Sequence, residues 1–278
     1  MKKALCVMCV GGGKYLEQYH LVKPQMQAYA DKCGAELVLI DRLIDSGKKR
    51  DIFSQKLLIP DYLRDYDIVV FLDLDILITR QCPSLFEEIP EDCGLMACLN
   101  PRGTEKFKKI FAGNERVLKE TTMDYFTARG FEANDRLVGN INGGVLVFRP
   151  ALIADLLKSY YDSDHSQGTF SAYEEAPMAY YSQTNGLFQA LDNRYNVMLN
   201  FEVGTPMGSE IYNTIHSRAY CFINRLLRKI THKNNVLLTG KVLTLTKRLV
   251  EQGSYIIHFA GGYWNTKVYR QCVKAEQE

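Results

Sequence analysis

Apolar and polar positions along the first hundred residues fall into blocks rather than a fine alternation. KALCVMCV (residues 3–10) is a continuous apolar run, and YLEQYHLVKPQMQAYADKCG then carries helical periodicity as far as Gly34. AELVLID (35–41) is a second run, IFSQKLLIPDYLRDY (52–66) a helical pattern, DIVVFLDLD (67–75) a third run and LMACLN (95–100) a fourth. Runs without strict alternation read as strands covered on both faces, which predicts βαβ units and a parallel sheet. Further along, the pattern predicts a helix within ERVLKETTMDYFTARGF (115–131), a strand at INGGVLVF (141–148) and a helix at RPALIADLLKSYYD (149–162), whose Pro150 suits a first turn. Another helix is expected over AYEEAPMAYYSQT (172–184), and SYIIHFAGG (254–262) reads as a late strand and turn.

No repeat, low-complexity tract or linker interrupts the 278 residues, which are read as a single domain, 1–278, with 203–252 a variable, basic and helical insertion. With 46% hydrophobic and 24% charged residues the chain lies in the globular range, and a net charge of +2 gives no argument for nucleic acid. The start, MKKALCVMCVGGG, is read as a first strand rather than a leader, because no A-x-A-like site follows its short apolar run. No segment approaches the ~20 apolar residues of a membrane span, so a cytoplasmic, soluble protein is expected. The eight cysteines include a CxxC at Cys6 and Cys9, but in a strand i and i+3 point to opposite faces. No second CxxC or spaced His pair accompanies it, and the cysteines are expected to be small buried hydrophobes.

The chemistry is concentrated in IVVFLDLDILI, where Asp73 and Asp75 interrupt an apolar stretch. On a strand the two side chains face the same way, with Leu74 opposite. Two unpaired carboxylates in apolar surroundings cost several kcal/mol each, which a divalent cation relieves. Ligands of open α/β sheets bind beyond the carboxyl ends of strands, where this pair is expected. Two aspartates capping a strand near solvent are the alternative reading.

DIVVFLDLDILI is similar to the DxD strand of GT-A glycosyltransferases, most of all glycosyltransferase family 8. INGGVLVF resembles that family's NxG strand through Asn142 and Gly144, and YIIHFAGG its HFxG motif through His258 and Gly261. The resemblance covers residues 1 to about 200 and 253–268. It implies an α/β GT-A (Rossmann-like) fold, a mixed, mainly parallel sheet flanked by helices, followed by the basic helical region. It further implies a metal held by Asp73, Asp75 and His258, usually Mn2+ (or Mg2+), that bridges the diphosphate of a UDP-sugar. A carboxylate and imidazole set suits Mn2+ better than purely oxygen-seeking cations. By the same resemblance Val10, Gly11, Tyr15, Lys56, Leu74 and Gly261 contact the nucleotide-sugar, with Asp41 and Lys267 as candidates for the same contacts, and Asn142 and one of Glu174 and Glu175 are catalytic. The glutamates stand where the family has an Asp-Gln pair under the sugar.

Departures from the family pattern are equally specific. The turn VGGGKYLEQ lacks the acidic residue that usually reads the base, so Asp41 is the substitute, and it matches neither GxxxxGK[ST] nor GxGxxG. Trp264 stands where the family has a lysine after the histidine, leaving Lys267 or the Gly261 and Gly262 amides to meet the diphosphate. LDNRYN resembles a further family segment and fixes the alignment.

The implied activity is metal-dependent transfer of a hexose from a UDP-sugar to a glycan or lipid-linked acceptor, with retention of configuration. One alternative is a haloacid-dehalogenase-type phosphatase using Asp73 and Asp75, against which Leu77 stands where Thr or Val is wanted. The other is an inactive sugar-nucleotide-binding protein. Residues 211–250 hold eight Lys/Arg and no Asp or Glu. Basic and apolar residues interleave there at helical spacing, which predicts peripheral contact with the cytoplasmic membrane face, a solvated basic subdomain, or a groove for an anionic acceptor.

Overall fold

This computed structural model describes residues 1–48, 50–163, 174–231 and 235–277. They form two compact units: Met1–Leu74, Ser84–Asn100 and Lys119–Asp192 make the first, and Asp75–Pro83, Pro101–Leu118 and Asn193–Glu278 the second.

The first unit is built on the apolar runs. β1 (Lys3–Met8), β2 (Glu36–Ile40), β3 (Ile68–Leu72), β5 (Leu95–Leu99), β6 (Ile141–Phe148) and β7 (Phe188–Ala190) lie in the order β2-β1-β3-β6-β5-β7. The pairs β1–β2, β1–β3 and β5–β7 are parallel. β6 runs antiparallel to β3 and β5, so the sheet is mixed and mainly parallel. Every residue of β3 is buried, as an uninterrupted IVVFL run requires. Phe71, Leu146 and Phe148 of the sheet pack with Leu57, Leu157, Tyr161 and Met178 in one core.

α1 (Gly13–Cys33) ends on Gly34, which takes the left-handed conformation at φ 63° that glycine adopts without strain. α6 (Pro150–Asp162) begins on its proline, and α7 (Glu175–Thr184) follows it. Ala172 and Tyr173, expected in that helix, lie outside the described residues.

Two expected helices are broken, each for a local reason. Residues 52–66 form a 3₁₀ segment, Ile52–Leu58, and then only the short α2 (Ile59–Tyr62). Asp51 caps the segment through the Phe53 amide, and Pro60 has no N–H with which to continue an α-helical ladder. The span 115–131 holds α4 (Glu115–Lys119) and α5 (Thr122–Thr127) instead of one helix. Thr121 and Asp124 form a reciprocal capping box that starts the second of them.

The second unit carries the sheet β4-β9-β8, from β4 (Ile76–Ile78), β8 (Val197–Met198) and β9 (Ile256–His258). Ile76 pairs with His258 across the antiparallel β4–β9 ladder, and Met198 pairs with His258 across the parallel β8–β9 ladder. α3 (Glu105–Ile110), α8 (Leu199–Glu202), α9 (Ser209–Ile215), α10 (Arg218–Thr231), α11 (Thr239–Glu251) and α12 (Thr266–Gln277) belong to the same unit. The region 203–252 is thus largely helical among the described residues. No described helix is long and apolar enough to cross a membrane.

Candidate metal and nucleotide-sugar site

β3 stops at Leu72, and Asp73, Leu74 and Asp75 form a turn before β4, so the aspartates are presented by a turn and not by one strand face. The Asp73 amide donates to the Gly144 carbonyl at 2.9 Å, which anchors the turn to β6. Leu74 is buried, at 8% exposure, and acts as the apolar pin between two polar neighbours.

In the first unit, Asp73 belongs to a buried polar network. Lys56 Nζ lies 2.9 Å from Asp73 Oδ1 and 3.2 Å from Glu174 Oε1. It also donates to the Gly143 carbonyl at 3.0 Å, so all three ammonium protons have acceptors. Burial works against the charged Lys56, but the Asp73 and Glu174 carboxylates outweigh it and hold its pKa above the ordinary value. Glu174 responds the other way. Its burial pushes the carboxyl up, Lys56 opposes, the charges of Glu175 and Asp73 add to the rise, and it stands at about 7.

Glu175 accepts from the Gly143 amide at 2.9 Å and from Asn142 Nδ2 at 3.2 Å, while Asn142 Oδ1 accepts from the Gly144 amide at 3.1 Å. Gly143 of β6 answers a steric requirement here. A Cβ on Gly143 would stand 2.9 Å from Glu174 Oε1. The structure therefore brings Lys56, Asp73, Asn142, Glu174 and Glu175 together.

In the second unit, His258 Nε2 faces Asp75 Oδ1 at 3.3 Å, and the Asp75 carbonyl accepts from the Phe259 amide at 2.8 Å. His258 Nδ1 lies 3.0 Å from Asn196 Oδ1, with both residues buried. The Asp73–Asp75 spacing is fixed by the turn itself, and His258 is fixed beside Asp75 by the β4–β9 register. Asp73, Asp75 and His258 consequently offer three ligand atoms within 4.8 Å of one another. Two carboxylates and an imidazole so grouped form a donor set that fits a divalent metal of mixed oxygen and nitrogen preference.

The remaining expected residues sit at loop ends. Val10 and Gly11 follow β1, and Asp41 follows β2, at the same carboxyl edge of the first unit's sheet as Asp73. Gly11, Gly12 and Gly13 all have positive φ, at 109°, 64° and 45°, so this turn needs glycine. Tyr15 is 44% exposed, and its ring edge lies where a Gly11 Cβ would make contact at 3.4 Å. In the second unit Gly261 has a φ of 74°, and a Cβ there would clash with Asn200 Cβ at 2.7 Å. Lys267 is exposed in the first turn of α12, its amide held by Asn265 Oδ1 at 3.0 Å. Trp264 packs between Phe259 and Tyr269, which accounts for an indole where a lysine was expected.

The fold is similar to that of a glycosyltransferase involved in glycosylation of the major capsid of PBCV-1, with a TM-score of 0.51 and 8% identity over 98% of this chain and 99% of that one. The apo-form glycosyltransferase GlyE of Streptococcus pneumoniae TIGR4 matches with a TM-score of 0.50 and 15% identity, over 98% of this chain and 60% of GlyE. The bifunctional glycosyltransferase WbbM matches with a TM-score of 0.50 and 14% identity, over 99% of this chain and 49% of WbbM. The chain has a GT-A glycosyltransferase fold. No family model and no curated protein matches the sequence.

A GT-A fold leaves the haloacid-dehalogenase-type alternative without its scaffold. Sequence reasoning missed one residue of this GT-A chain's candidate metal centre. Asn196, on the ring nitrogen of His258 opposite the ligand side, lies in LDNRYN, which was read only as an alignment marker.

Proposed function

We propose that this protein is a metal-dependent glycosyltransferase that moves a hexose from a UDP-sugar to a glycan or lipid-linked acceptor with retention of configuration. The observation that carries the proposal is the Asp73, Asp75 and His258 donor group on a GT-A fold. Asp73, Asp75 and His258 would hold Mn2+ or Mg2+, which supplies Lewis-acid neutralisation of the diphosphate and the departing UDP. Retention rests on the resemblance to glycosyltransferase family 8.

The chain's own residues divide the remaining work. Tyr15 offers an exposed ring on which a base stacks, and the positive-φ glycines with Val10 let backbone approach the nucleoside. Asp41 supplies the acidic group that the glycine turn lacks. Lys56 keeps Asp73 oriented and neutralises its charge before any metal is present. Glu175, half-buried and held by Gly143 and Asn142, stabilises positive charge at the anomeric carbon. Glu174 is sealed against Lys56 and supports that arrangement from behind. In the second unit, Gly261 and Lys267 meet the diphosphate.

Membrane contact belongs to the same proposal. Phe222, Ile223 and Leu226 of α10 are 65%, 44% and 46% exposed, with Arg218, Arg225, Arg228 and Lys229 exposed beside them. An apolar and cationic face of that kind suits an anionic lipid interface, where a lipid-linked acceptor would be presented. Lys233 of the same basic stretch lies outside the described residues. Co-sedimentation with anionic vesicles tests it: salt-sensitive binding supports recruitment, and no binding at low salt rejects it.

For the reaction, UDP-glucose, UDP-galactose and UDP-N-acetylglucosamine are offered with and without Mn2+. Slow hydrolysis of one donor that requires the metal and disappears in Asp75→Ala is expected. Metal-independent turnover contradicts the metal requirement, and turnover of none of the donors contradicts the proposal and leaves an inactive sugar-nucleotide-binding protein.

A further inference from the structure

We infer that Asn196 is a positioning residue that selects the metal-binding tautomer of His258, an inference that rests on the metal-dependent reading above. A neutral imidazole has one N–H and one lone pair, and the partner of one nitrogen decides which is which. Asn196 Oδ1 lies 3.0 Å from His258 Nδ1. An amide oxygen can only accept, so Nδ1 carries the hydrogen, and in the neutral ring the lone pair is then on Nε2. Nε2 is the nitrogen that faces Asp75 Oδ1, at 3.3 Å. A lone pair and a carboxylate oxygen so placed can bind one cation together.

Local structure makes this arrangement rigid. Asn196 follows the 3₁₀ turn Asn193–Tyr195, and its own amide donates to the Asn193 carbonyl at 3.2 Å. The next residue enters β8, where Val197 pairs with Ile257 and Met198 with His258. Asn196 thus enters the strand two residues before Met198, the partner of His258, and the ladder holds the two side chains near one another. Asn196 is 3% exposed and His258 5%, so water does not compete for the Nδ1 proton. Outer-shell partners of this kind commonly govern metal affinity by 10- to 100-fold.

The test pairs two variants with two readouts. In Asn196→Leu, similar in volume but without an acceptor, Mn2+ binding followed by the electron-paramagnetic signal of the free ion should weaken at least tenfold. Asn196→Asp, which still accepts from Nδ1, should bind within about threefold of the native protein or more tightly. Independently, ¹⁵N-histidine spectra of the native protein loaded with diamagnetic Mg2+ should place the ring N–H on Nδ1, and Asn196→Leu should lose its protection from exchange. Native Mn2+ binding that Asn196→Leu leaves unchanged, or a ring N–H on Nε2, overturns the role of Asn196 while the metal site stands. Failure of the native protein to bind Mn2+ overturns both.

Discussion

Asp73 and Asp75 stand two residues apart in one turn, yet they are held by opposite means. Asp73 already has its cation, because Lys56 sits 2.9 Å away in a buried network with Glu174 and Gly143. Asp75 instead faces the Nε2 of His258 at 3.3 Å, and in the neutral ring oriented by Asn196 that nitrogen offers a lone pair to a shared cation. The first surroundings are built for stability without a ligand, whereas the second are built for affinity. A change beside Asp73 should therefore register in folding, and a change beside Asp75 should register in metal binding and turnover.

The sharpest way to break that contrast lies on the Asp75 side. Asp75→Ala and His258→Ala should each lower turnover of the UDP-sugar about 10³-fold, on the order of 4 kcal/mol, with little change in melting temperature. Near-native, Mn2+-stimulated turnover in either variant would remove the distinction. On the Asp73 side the expected loss is in folding. Lys56→Met leaves two carboxylates without their counterion and should cost about 3 kcal/mol in denaturant unfolding, the low end for a buried pair because Asp73 is partly exposed. An unchanged midpoint would show that Lys56 is dispensable to the fold.

Glu174 gives a pH-dependent version of the same test. Its carboxyl stands at about 7 in the folded chain against an ordinary 4.5, so the folded state holds the proton more strongly than the unfolded one. Below pH 4.5 both states are protonated and the burial carries no penalty; the penalty grows as pH rises through this window and is complete above about 7. Stability of the native protein should fall across that window by an increment on the order of 3 kcal/mol that Glu174→Gln lacks. Parallel stability profiles for the two proteins would contradict the assignment. The smallest effect is expected away from both aspartates: Tyr15→Ala should raise KM for the donor about tenfold and leave kcat within a factor of two or so, as loss of a stacking surface does.

Much of this contrast was legible in the sequence. β6 coincides with the apolar run INGGVLVF, and β1, β2 and β3 each fall within the run predicted for them, because buried strands must be continuously apolar. The direction of β6 was not legible, since a buried strand reads alike whether its neighbours run parallel or antiparallel to it. The DLD turn was hidden for a related reason: Ile76–Ile78 continues the apolar pattern into a different sheet. Strands as short as Val197–Met198 leave no periodicity to detect, and Asn196 at its entrance was overlooked with them. Lys56 was marked by the family resemblance as a donor contact, but its burial between two acids carried no signal. In the sequence it is an ordinary helical lysine, and only tertiary packing buries it to 6% exposure between two acids.

The central claim is that Asp73, Asp75 and His258 form one metal site that serves a nucleotide-sugar. Titration of the native protein with Mn2+, in the presence and absence of UDP, tests it most directly. The account predicts saturable binding at a single site that UDP tightens and that both Asp75→Ala and His258→Ala abolish. Binding that persists undiminished in the two variants, or that UDP does not affect, would contradict it.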